Sequence, residues 1–248
     1  MKRLKLTLEY DGTAFYGYQR QTNPPVRTVQ GALEDSLKKI LSVEELKTAV
    51  CGRTDRGVHS LGNVMHLDVE DDVDTYKLMG GLNHLCKPGL AVVSIDEVDE
   101  DFHARASCYE REYVYKMHTR RQPSPVREGR VAHVVYKVDF NVMKKAAESL
   151  LGEHDFSAFR AARCESSTPM CNLTKLELTK VDDEIHVRIA GNHFLYNMVR
   201  IICGTLVDIG RGELPAGAMD EILASKDRRK AGITLSPEGL YFVEAKYR

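Results

Sequence analysis

The 248-residue chain has no tryptophan and only six cysteines, none of which stands in a C-x-x-C pair. Its nine histidines form no close group with those cysteines either. This spacing argues against a zinc site and against a disulfide framework. Scattered cysteines without an export signal are typical of free thiols in a reducing compartment. We therefore expect a cytoplasmic protein with no structural metal.

A strong excess of one charge is also missing, because the net charge is −1 and the sequence pI is about 6.8. A uniformly basic surface is thereby excluded, and any surface that binds a polyanion must be a local patch balanced by acids elsewhere. Long hydrophobic runs are absent as well. The residues after Met1-Lys-Arg3 alternate apolar and polar up to Tyr10, so we expect no signal-peptide core. No stretch approaches the roughly 18 apolar residues of a membrane span, and we expect no membrane association.

What the chain does contain is an ordinary globular mixture, with 43% apolar and 29% charged residues. Strand-like and helix-like patterns interleave along its whole length. This order favours a mixed α/β fold with largely antiparallel sheets, which places it in the α+β class. We place the boundary between two α/β halves near residue 106, which gives an N-terminal half, 1–106, and a C-terminal half, 107–248.

Local patterns predict the individual elements. Leu4, Leu6, Leu8 and Tyr10 alternate with polar residues, as in a half-buried strand. Thr28 precedes apolar residues at helical spacing and is a plausible N-cap. The predicted strands are 3–10, 47–51, 63–69, 90–96, 109–118, 173–181, 185–190 and 240–247. The predicted helices are 28–41, 73–84, 139–151, 194–209 and a short one after Pro215.

The most unusual segment is Cys51-Gly-Arg-Thr-Asp-Arg-Gly-Val-His59, which follows a predicted strand and sets Asp55 between Arg53 and Arg56. Neighbouring guanidinium groups favour the ionised carboxylate. A loop-borne, ionised aspartate suits a nucleophile, a base or a metal ligand. A surface turn with an Arg–Asp ion pair fits the same residues, and the motif alone does not choose between these alternatives.

Several motifs in a fixed order resemble the TruA family of tRNA pseudouridine synthases, and together they cover nearly the whole chain. The first is the Gly52-Arg-Thr-Asp55 segment continued by Gly57-Val-His59. The others are Glu9-Tyr-Asp-Gly-Thr13, Gly17-Tyr-Gln-Arg-Gln21, Thr28-Val-Gln-Gly-Ala-Leu-Glu34, Phe102-His-Ala-Arg105, Arg111-Glu-Tyr-Val-Tyr115, Gly152-Glu-His-Asp-Phe-Ser-Ala-Phe159, Met198-Val-Arg200 and Glu238-Gly-Leu-Tyr241.

The resemblance implies roles for three catalytic residues. Asp55 is expected to be the nucleophile, attacking either the ribose or the uracil ring. Tyr113 is expected to stack on the flipped uracil and to help remove the proton from carbon 5. Arg200 is expected to pair with Asp55. The residues themselves support a role for Arg200, because an arginine inside an otherwise apolar helix needs a partner.

The resemblance also implies substrate contacts. Arg53 is expected to hold the target base out of the stack, and Leu240 to line the uracil pocket. Arg56 stands where a small residue is usual and adds a positive charge beside Asp55. The remaining candidates for substrate binding are Arg20 in the Gly17–Gln21 motif and Arg120 and Arg121 in the basic segment 116–130.

Two further features bear on RNA binding. Residues 226–230 form a second basic run, which suits either RNA contact or a solvated loop about equally. Glu112 replaces a residue that is often basic and is expected to weaken the local attraction to RNA.

The implied fold is the pseudouridine synthase fold, with both halves around a central cleft. The implied protein is a homodimer that acts on tRNA, at positions 38–40 of the anticodon stem-loop, without metal or small-molecule cofactor. Three alternatives remain. They are the same chemistry at other tRNA or RNA uridines, a non-catalytic tRNA-binding or chaperone protein on the same fold, and a metal-dependent nuclease or hydrolase that uses Asp55 and His59.

Overall fold

The computed structural model describes residues 1–162, 164 and 166–248, which group into two units. Unit 1 comprises Met1–Tyr109 and Tyr241–Arg248, and unit 2 comprises Glu110–Leu240. The predicted boundary near residue 106 precedes the change of unit after Tyr109. The C-terminal residues 241–248, expected in the second half, group with unit 1 because Tyr241 and Phe242 pair in parallel with His59 and Ser60.

The elements follow the predicted order. The strands are β1 (Lys2–Tyr10), β2 (Thr48–Val50), β3 (His59–Val69), β4 (Leu90–Val98), β5 (Cys108–His118), β6 (Ala132–His133), β7 (Gly152–Asp155), β8 (Met170–Val181), β9 (Glu184–Gly191) and β10 (Leu240–Tyr247). The α-helices are α1 (Val29–Leu41), α2 (Thr75–Leu85), α3 (Phe140–Ala147), α4 (Met198–Gly210) and α5 (Ala218–Ser225). No described helix is long and apolar enough to cross a membrane.

The sheet of unit 1 has the strand order β4-β1-β3-β10, and β2 also pairs with β3. All its pairs are antiparallel except β3 with β10. The alternating leucines of β1 are fully buried, and they pack with α1 and α2 residues in one apolar cluster. Each such leucine contributes about 1.5–3 kcal/mol relative to an exposed one, so this cluster supplies a stable platform under the loops of the sheet.

Helix α1 begins and ends where its sequence predicts. The Thr28 hydroxyl accepts a hydrogen bond from Gly31 N, and Ser42 terminates the helix in the left-handed conformation. Lys38 and Lys39 occupy the last turn, where positive charge interacts favourably with the negative end of the helix dipole.

The sheet of unit 2 has the order β5-β9-β8-β7, with β6 pairing in parallel with β5 and the other pairs antiparallel. Every residue of helix α4 is buried except Arg200. It begins four residues later than predicted, because Asn197 lies in the left-handed conformation at its N-cap. Short strands β6 and β7 were not predicted.

Glu112 on β5 is buried between two cations. Its carboxylate lies 3.2 Å from Lys175 Nζ and 2.9 Å from Arg188 Nη1. Its charge is therefore compensated inside unit 2 and does not face solvent. The expectation that Glu112 weakens the local attraction to RNA stays a prediction.

Because two buried histidines, His66 and His118, have lowered pKa values, we expect the free energy of unfolding to fall as the solution becomes acidic. Burial lowers the pKa of His66, and the charges of His103 and Arg3 act in the same direction. Burial also lowers the pKa of His118, aided by His133, whose ring stacks on it at 4.4 Å. The unfolded imidazoles titrate near 6.5, so below that pH the unfolded chain binds more protons than the folded one.

The free energy of unfolding that depends on these two neutral imidazoles is fully present above pH 6.5. It is lost as the pH drops towards their lower folded-state pKa values. Urea unfolding at pH 7.5 and 5.5 measures the effect. We expect a lower free energy of unfolding at pH 5.5 and a smaller drop in His118→Phe. An unfolding free energy that stays constant or rises towards pH 5.5 would contradict the prediction.

Candidate active site

The loop between β2 and β3 holds Asp55 half-buried between the exposed residues Arg53 and Arg56. The loop is anchored on both sides of the aspartate. Thr54 O accepts a hydrogen bond from Tyr18 N at 2.9 Å, and Val58 N donates to Asp55 O at 3.1 Å. These bonds use main-chain atoms, so the backbone on both sides of the Asp55 carboxylate is fixed.

Asn63 and Tyr10 hold the start of the same loop. The Asn63 amide donates to Gly52 O at 2.7 Å, and its oxygen accepts from Gly52 N at 3.3 Å. The Tyr10 hydroxyl lies 2.8 Å from Thr54 Oγ1 and accepts a 3.1 Å hydrogen bond from Asn63 Nδ2. These side chains replace the strand ladder where the chain leaves β2, so the loop is fixed by polar contacts inside unit 1.

Glycines of the two N-terminal motifs allow the close approach of the chain to this loop. A Cβ on Gly12 would lie 2.3 Å from Val58 O, well inside contact distance. Gly17 has φ of +95° and would place a Cβ 3.1 Å from Thr54 O. The N-terminal motifs therefore belong to the Asp55 loop in space, a link that residue spacing did not reveal.

His59 supports the loop from beneath. Its Nδ1 accepts a hydrogen bond from Gly12 N at 3.1 Å, and its ring stacks on Tyr241 with centroids 4.5 Å apart. It is buried. The Nδ1 atom of His59 is therefore used for a hydrogen bond inside unit 1. Among the described residues, no group of three or more His, Cys, Asp or Glu side chains is arranged to hold a metal ion.

Two buried tyrosines of unit 1 give a matched stability prediction. The Tyr10 hydroxyl has the partners described above, and burial raises its pKa to about 12. The Tyr18 hydroxyl is also buried but has no hydrogen-bond partner among the described residues. We expect Tyr10→Phe to lower the free energy of unfolding by about 1–3 kcal/mol, because it leaves buried partners unsatisfied.

Tyr18→Phe is expected to change that free energy by less than about 0.5 kcal/mol or to increase it, since an unpaired buried hydroxyl gives no stabilisation. Chemical denaturation of the two variants beside the wild-type protein measures the difference. Equal losses in both variants would show that the two hydroxyls are not distinguished by their hydrogen bonds.

The arginines predicted to bind substrate differ in their surroundings within unit 1. Arg56 lies over the ring of Tyr16, with its guanidinium carbon 4.1 Å from the ring centroid. Arg53 is exposed and lines a small pocket. Arg20 bonds through its guanidinium to Glu34, Asp35 and Gly31 O, so it ties the N-terminal segment to α1. Its binding to substrate stays a prediction.

The candidate residues of unit 2 lie on β5, on α4 and at the start of β10. Tyr113 is half-buried and meets the ring of Phe194 edge to face, with centroids 5.0 Å apart. Leu240 is buried. Tyr115 is buried, and its hydroxyl donates to Ser236 O at 2.7 Å, which fixes the segment before Leu240 against β5.

Arg200 is half-buried near the start of α4, and its guanidinium has partners within unit 2. Its Nε donates to Leu235 O at 2.7 Å, and its Nη1 donates to Asn197 Oδ1 at 2.8 Å. The requirement for a partner was foreseen from the apolar helix, but these two acceptors were not. Asn197, three residues before Arg200, is the local signal that could have indicated one of them.

The two basic segments are partly engaged with the protein itself. Arg120 donates to Gln122 O and Pro123 O, whereas Arg121 is exposed. In the run 226–230, Lys226 pairs with Asp155 at 2.9 Å and Arg229 with Asp227 at 2.7 Å. These contacts favour the solvated-loop interpretation for 226–230.

The family model described as tRNA pseudouridine synthase matches residues 7–105 and 146–248. The tRNA pseudouridine synthase A of Ralstonia nicotianae is 43% identical over all of this chain and 90% of its own length. The proteins of the same name from Erythrobacter litoralis and Rhodospirillum centenum are 40% and 41% identical, over 99% and 100% of their lengths.

A chain in the crystal structure of a Cbf5-Nop10-Gar1 complex is similar with a TM-score of 0.41 and 13% identity, over 96% of this chain and 48% of that one. Full-length identity above 40% to curated relatives, together with the family model, decides the assignment. The chain belongs to the TruA family of tRNA pseudouridine synthases.

Proposed function

We propose that this protein converts uridine to pseudouridine in tRNA with Asp55 as the nucleophile. The family to which the chain belongs makes it an isomerase that acts on tRNA. The observation that supports the role of Asp55 is its position: a half-buried carboxylate on a loop whose backbone is held by Tyr18, Thr54 and Val58. A carboxylate on a loop with a fixed backbone is held in one position, as a nucleophile requires.

The reaction balances without an added reagent. The bond between uracil N1 and ribose C1′ breaks, the base turns, and a bond forms between carbon 5 and C1′. The proton on carbon 5 leaves to solvent, and N1 ends with a proton. Asp55 forms a transient bond either to C1′ or to carbon 6 of the ring and is released at the end. Substrate and product have the same composition, so the chemistry needs no redox cofactor.

Residues of unit 2 complete the proposal. Tyr113 stacks on the extruded uracil and assists removal of the carbon-5 proton. Leu240 lines the pocket that receives the base, and Arg200 is the third catalytic residue, together with Asp55 and Tyr113. The edge-to-face contact with Phe194 supports a fixed orientation for Tyr113. The hydrogen bonds of Arg200 to Leu235 and Asn197 support a fixed guanidinium.

Substrate recognition in this proposal is electrostatic and shape-based. Extruding a base costs a few kcal/mol, and the exposed Arg53 and Arg56 beside the nucleophile offset that cost by contacting the displaced nucleotide or its phosphates. Arg121 of unit 2 is a further candidate for RNA contact. Arg20 and Arg120 are weaker candidates because their guanidinium groups are engaged in hydrogen bonds within the protein. The target is positions 38–40 of the anticodon stem-loop, and the acting form is a cytoplasmic homodimer.

The test is release of tritium from unmodified tRNA labelled at carbon 5 of uridine, in excess EDTA. The wild-type protein is expected to release tritium from the anticodon stem-loop and to leave pseudouridine at positions 38–40. Release with pseudouridine elsewhere would keep the chemistry and replace the site. Tight tRNA binding with no release would overturn the catalytic proposal in favour of a non-catalytic tRNA-binding protein. Loss of release only on EDTA treatment would favour metal-dependent chemistry.

A further inference from the structure

The loop that carries Asp55 also carries an exposed arginine that rests on an exposed aromatic ring. The guanidinium carbon of Arg56 lies 4.1 Å from the centroid of the Tyr16 ring. Tyr16 is 46% exposed, Arg56 is exposed as well, and both residues belong to unit 1. An aromatic ring attracts a cation electrostatically, so this contact holds a long and otherwise mobile side chain in one place.

The backbone fixes where the two side chains meet. Tyr16 N donates to Arg27 O at 2.9 Å, and Tyr16 O accepts from Gln21 Nε2 at 3.0 Å. The next residue, Gly17, has φ of +95°, and a Cβ there would lie 3.3 Å from Arg56 N. The N-terminal segment therefore crosses the loop at Arg56, and the ring of Tyr16 has a defined place beside it.

Arg56 differs in its partners from another arginine that lies over a ring. In unit 2, the guanidinium carbon of Arg211 is 4.4 Å from the ring centroid of Tyr136, and its Nε also pairs with Asp208 at 2.9 Å. Among the described residues, Arg56 has neither a hydrogen-bond acceptor nor a carboxylate partner. Contact with one ring does not satisfy the five N–H donors of a guanidinium, so Arg56 keeps both its charge and its donors for a ligand.

An uncompensated guanidinium with unused donors matches a phosphate, which supplies a negative charge and two oxygens at the right spacing. Arg56 follows Asp55 directly, so a phosphate bound there belongs to the target nucleotide or to its neighbour. We propose that Tyr16 is a positioning residue, which holds Arg56 ready to bind one backbone phosphate of the substrate RNA beside the target uridine. The inference rests on the proposed function, because it takes RNA as the ligand.

The ring contributes to affinity by ordering the arginine before the RNA arrives. Arginine is among the side chains that lose most rotamer freedom when they are fixed. A side chain that is already held loses less of that freedom on binding, so the complex is tighter. Bound RNA also removes water from the pair, which strengthens the attraction between cation and ring. Tyr16 acts through Arg56 in this way and does not touch the reacting atoms.

A double-mutant cycle isolates the coupling between the two residues. The Kd for unmodified tRNA is measured over a series of salt concentrations for wild-type protein, Tyr16→Leu, Arg56→Gln and the double variant. KM and kcat are measured by tritium release. Tyr16→Phe keeps the ring. Tyr136→Leu removes an equally exposed ring that also lies under an arginine, and Lys77→Gln removes one exposed positive charge of unit 1.

We expect Arg56→Gln to raise Kd and KM about 10-fold with kcat within about threefold, as loss of one charged hydrogen bond predicts. The slope of log Kd against log salt concentration should fall by about 0.7–0.9, the value for one phosphate contact. Tyr16→Leu should raise Kd about three- to fivefold when Arg56 is present and less than about 1.5-fold in Arg56→Gln. Tyr16→Phe and both controls should stay within about twofold of wild type, because Phe keeps the π face.

Modified tRNAs identify the group that Arg56 binds. One series carries a single neutral methylphosphonate at each linkage around the target uridine, and a second carries an abasic nucleotide on either side of it. A methylphosphonate at one linkage next to the uridine should weaken binding to wild-type protein and have little effect on Arg56→Gln. The abasic nucleotides should weaken binding to both proteins equally.

An equal effect of Tyr16→Leu with and without Arg56, or a salt slope unchanged in Arg56→Gln, would overturn the inference. A penalty that depends on Arg56 for an abasic nucleotide, and for no methylphosphonate, would replace the phosphate by a base and overturn it as well. Absence of tritium release from wild-type protein, with the expected pattern of Kd values, would overturn the proposed function and leave the phosphate contact standing. Wild-type protein that does not bind tRNA would overturn both.

Discussion

Asp55→Asn is expected to abolish tritium release, with a loss of at least about 10,000-fold in kcat, because an amide is not a nucleophile for this substitution. The fold of the loop should survive. Its main-chain contacts are made by Thr54, Val58 and the carbonyl of Asp55, none of which the change removes. Asparagine keeps the size of the side chain, so tRNA affinity should stay within about threefold of wild type.

The control for Asp55→Asn is Asp72→Asn, which removes one negative charge at an exposed position of unit 1. Both variants change the net charge equally, so a general electrostatic effect on RNA binding would appear in both. Tritium release and tRNA Kd are measured for each. Substantial turnover by Asp55→Asn, with the variant protein free of deamidation by mass spectrometry, would remove Asp55 from the role of nucleophile.

Gly204→Ala is expected to destabilise the protein by about 3 kcal/mol or more, or to prevent folding. Gly204 lies inside α4, and a Cβ there would stand 1.9 Å from Ile233 O and 2.9 Å from the carbonyl carbon of the same residue. Neither atom belongs to a flexible side chain, so helix and backbone must separate. Arg200 is one turn earlier on α4 and bonds to Leu235 O, so this separation also displaces the proposed catalytic arginine.

Gly80→Ala provides the matched control, because it makes the same substitution inside α2. Apart from its chain neighbours and the backbone of α2 itself, no heavy atom of the described residues lies within 4 Å of the added Cβ. Alanine has the higher helix propensity, and we expect a gain of about 0.5–1 kcal/mol. Denaturant unfolding of both variants measures the contrast. A loss below about 1 kcal/mol for Gly204→Ala would mean that α4 and the 233–235 segment do not require their close approach.

Sequence patterns predicted the local structure well where neighbours along the chain decide it. The alternation in β1 and the Thr28 cap of α1 depend on side-chain period and on one hydroxyl, and both appear as predicted. The late start of α4 shows the limit of such patterns. The apolar run from Phe194 has helical character, but the left-handed conformation of Asn197 sets the N-terminus.

The candidate residues were recognised from motifs, but the reasons for several motifs lie in contacts between distant parts of the chain. Gly12 is needed because Val58 O passes 2.3 Å from where its Cβ would be, 46 positions later in the sequence. Composition and spacing contain no signal for that contact. The motif likewise shows only that position 18 is aromatic. It does not indicate that the Tyr18 hydroxyl is buried without a hydrogen-bond partner among the described residues.

The sequence by itself determined the family and the order of the elements, and it predicted the residues proposed to carry the chemistry, because each is encoded in short-range patterns or in ordered motifs. Only the tertiary structure decided which partners those residues have. Glu112 is neutralised by Lys175 and Arg188, and Arg200 is held by Leu235 O and Asn197. Burial and hydrogen bonding depend on chain segments brought together by folding, so the charge and donor balance of a site cannot be summed from its local sequence.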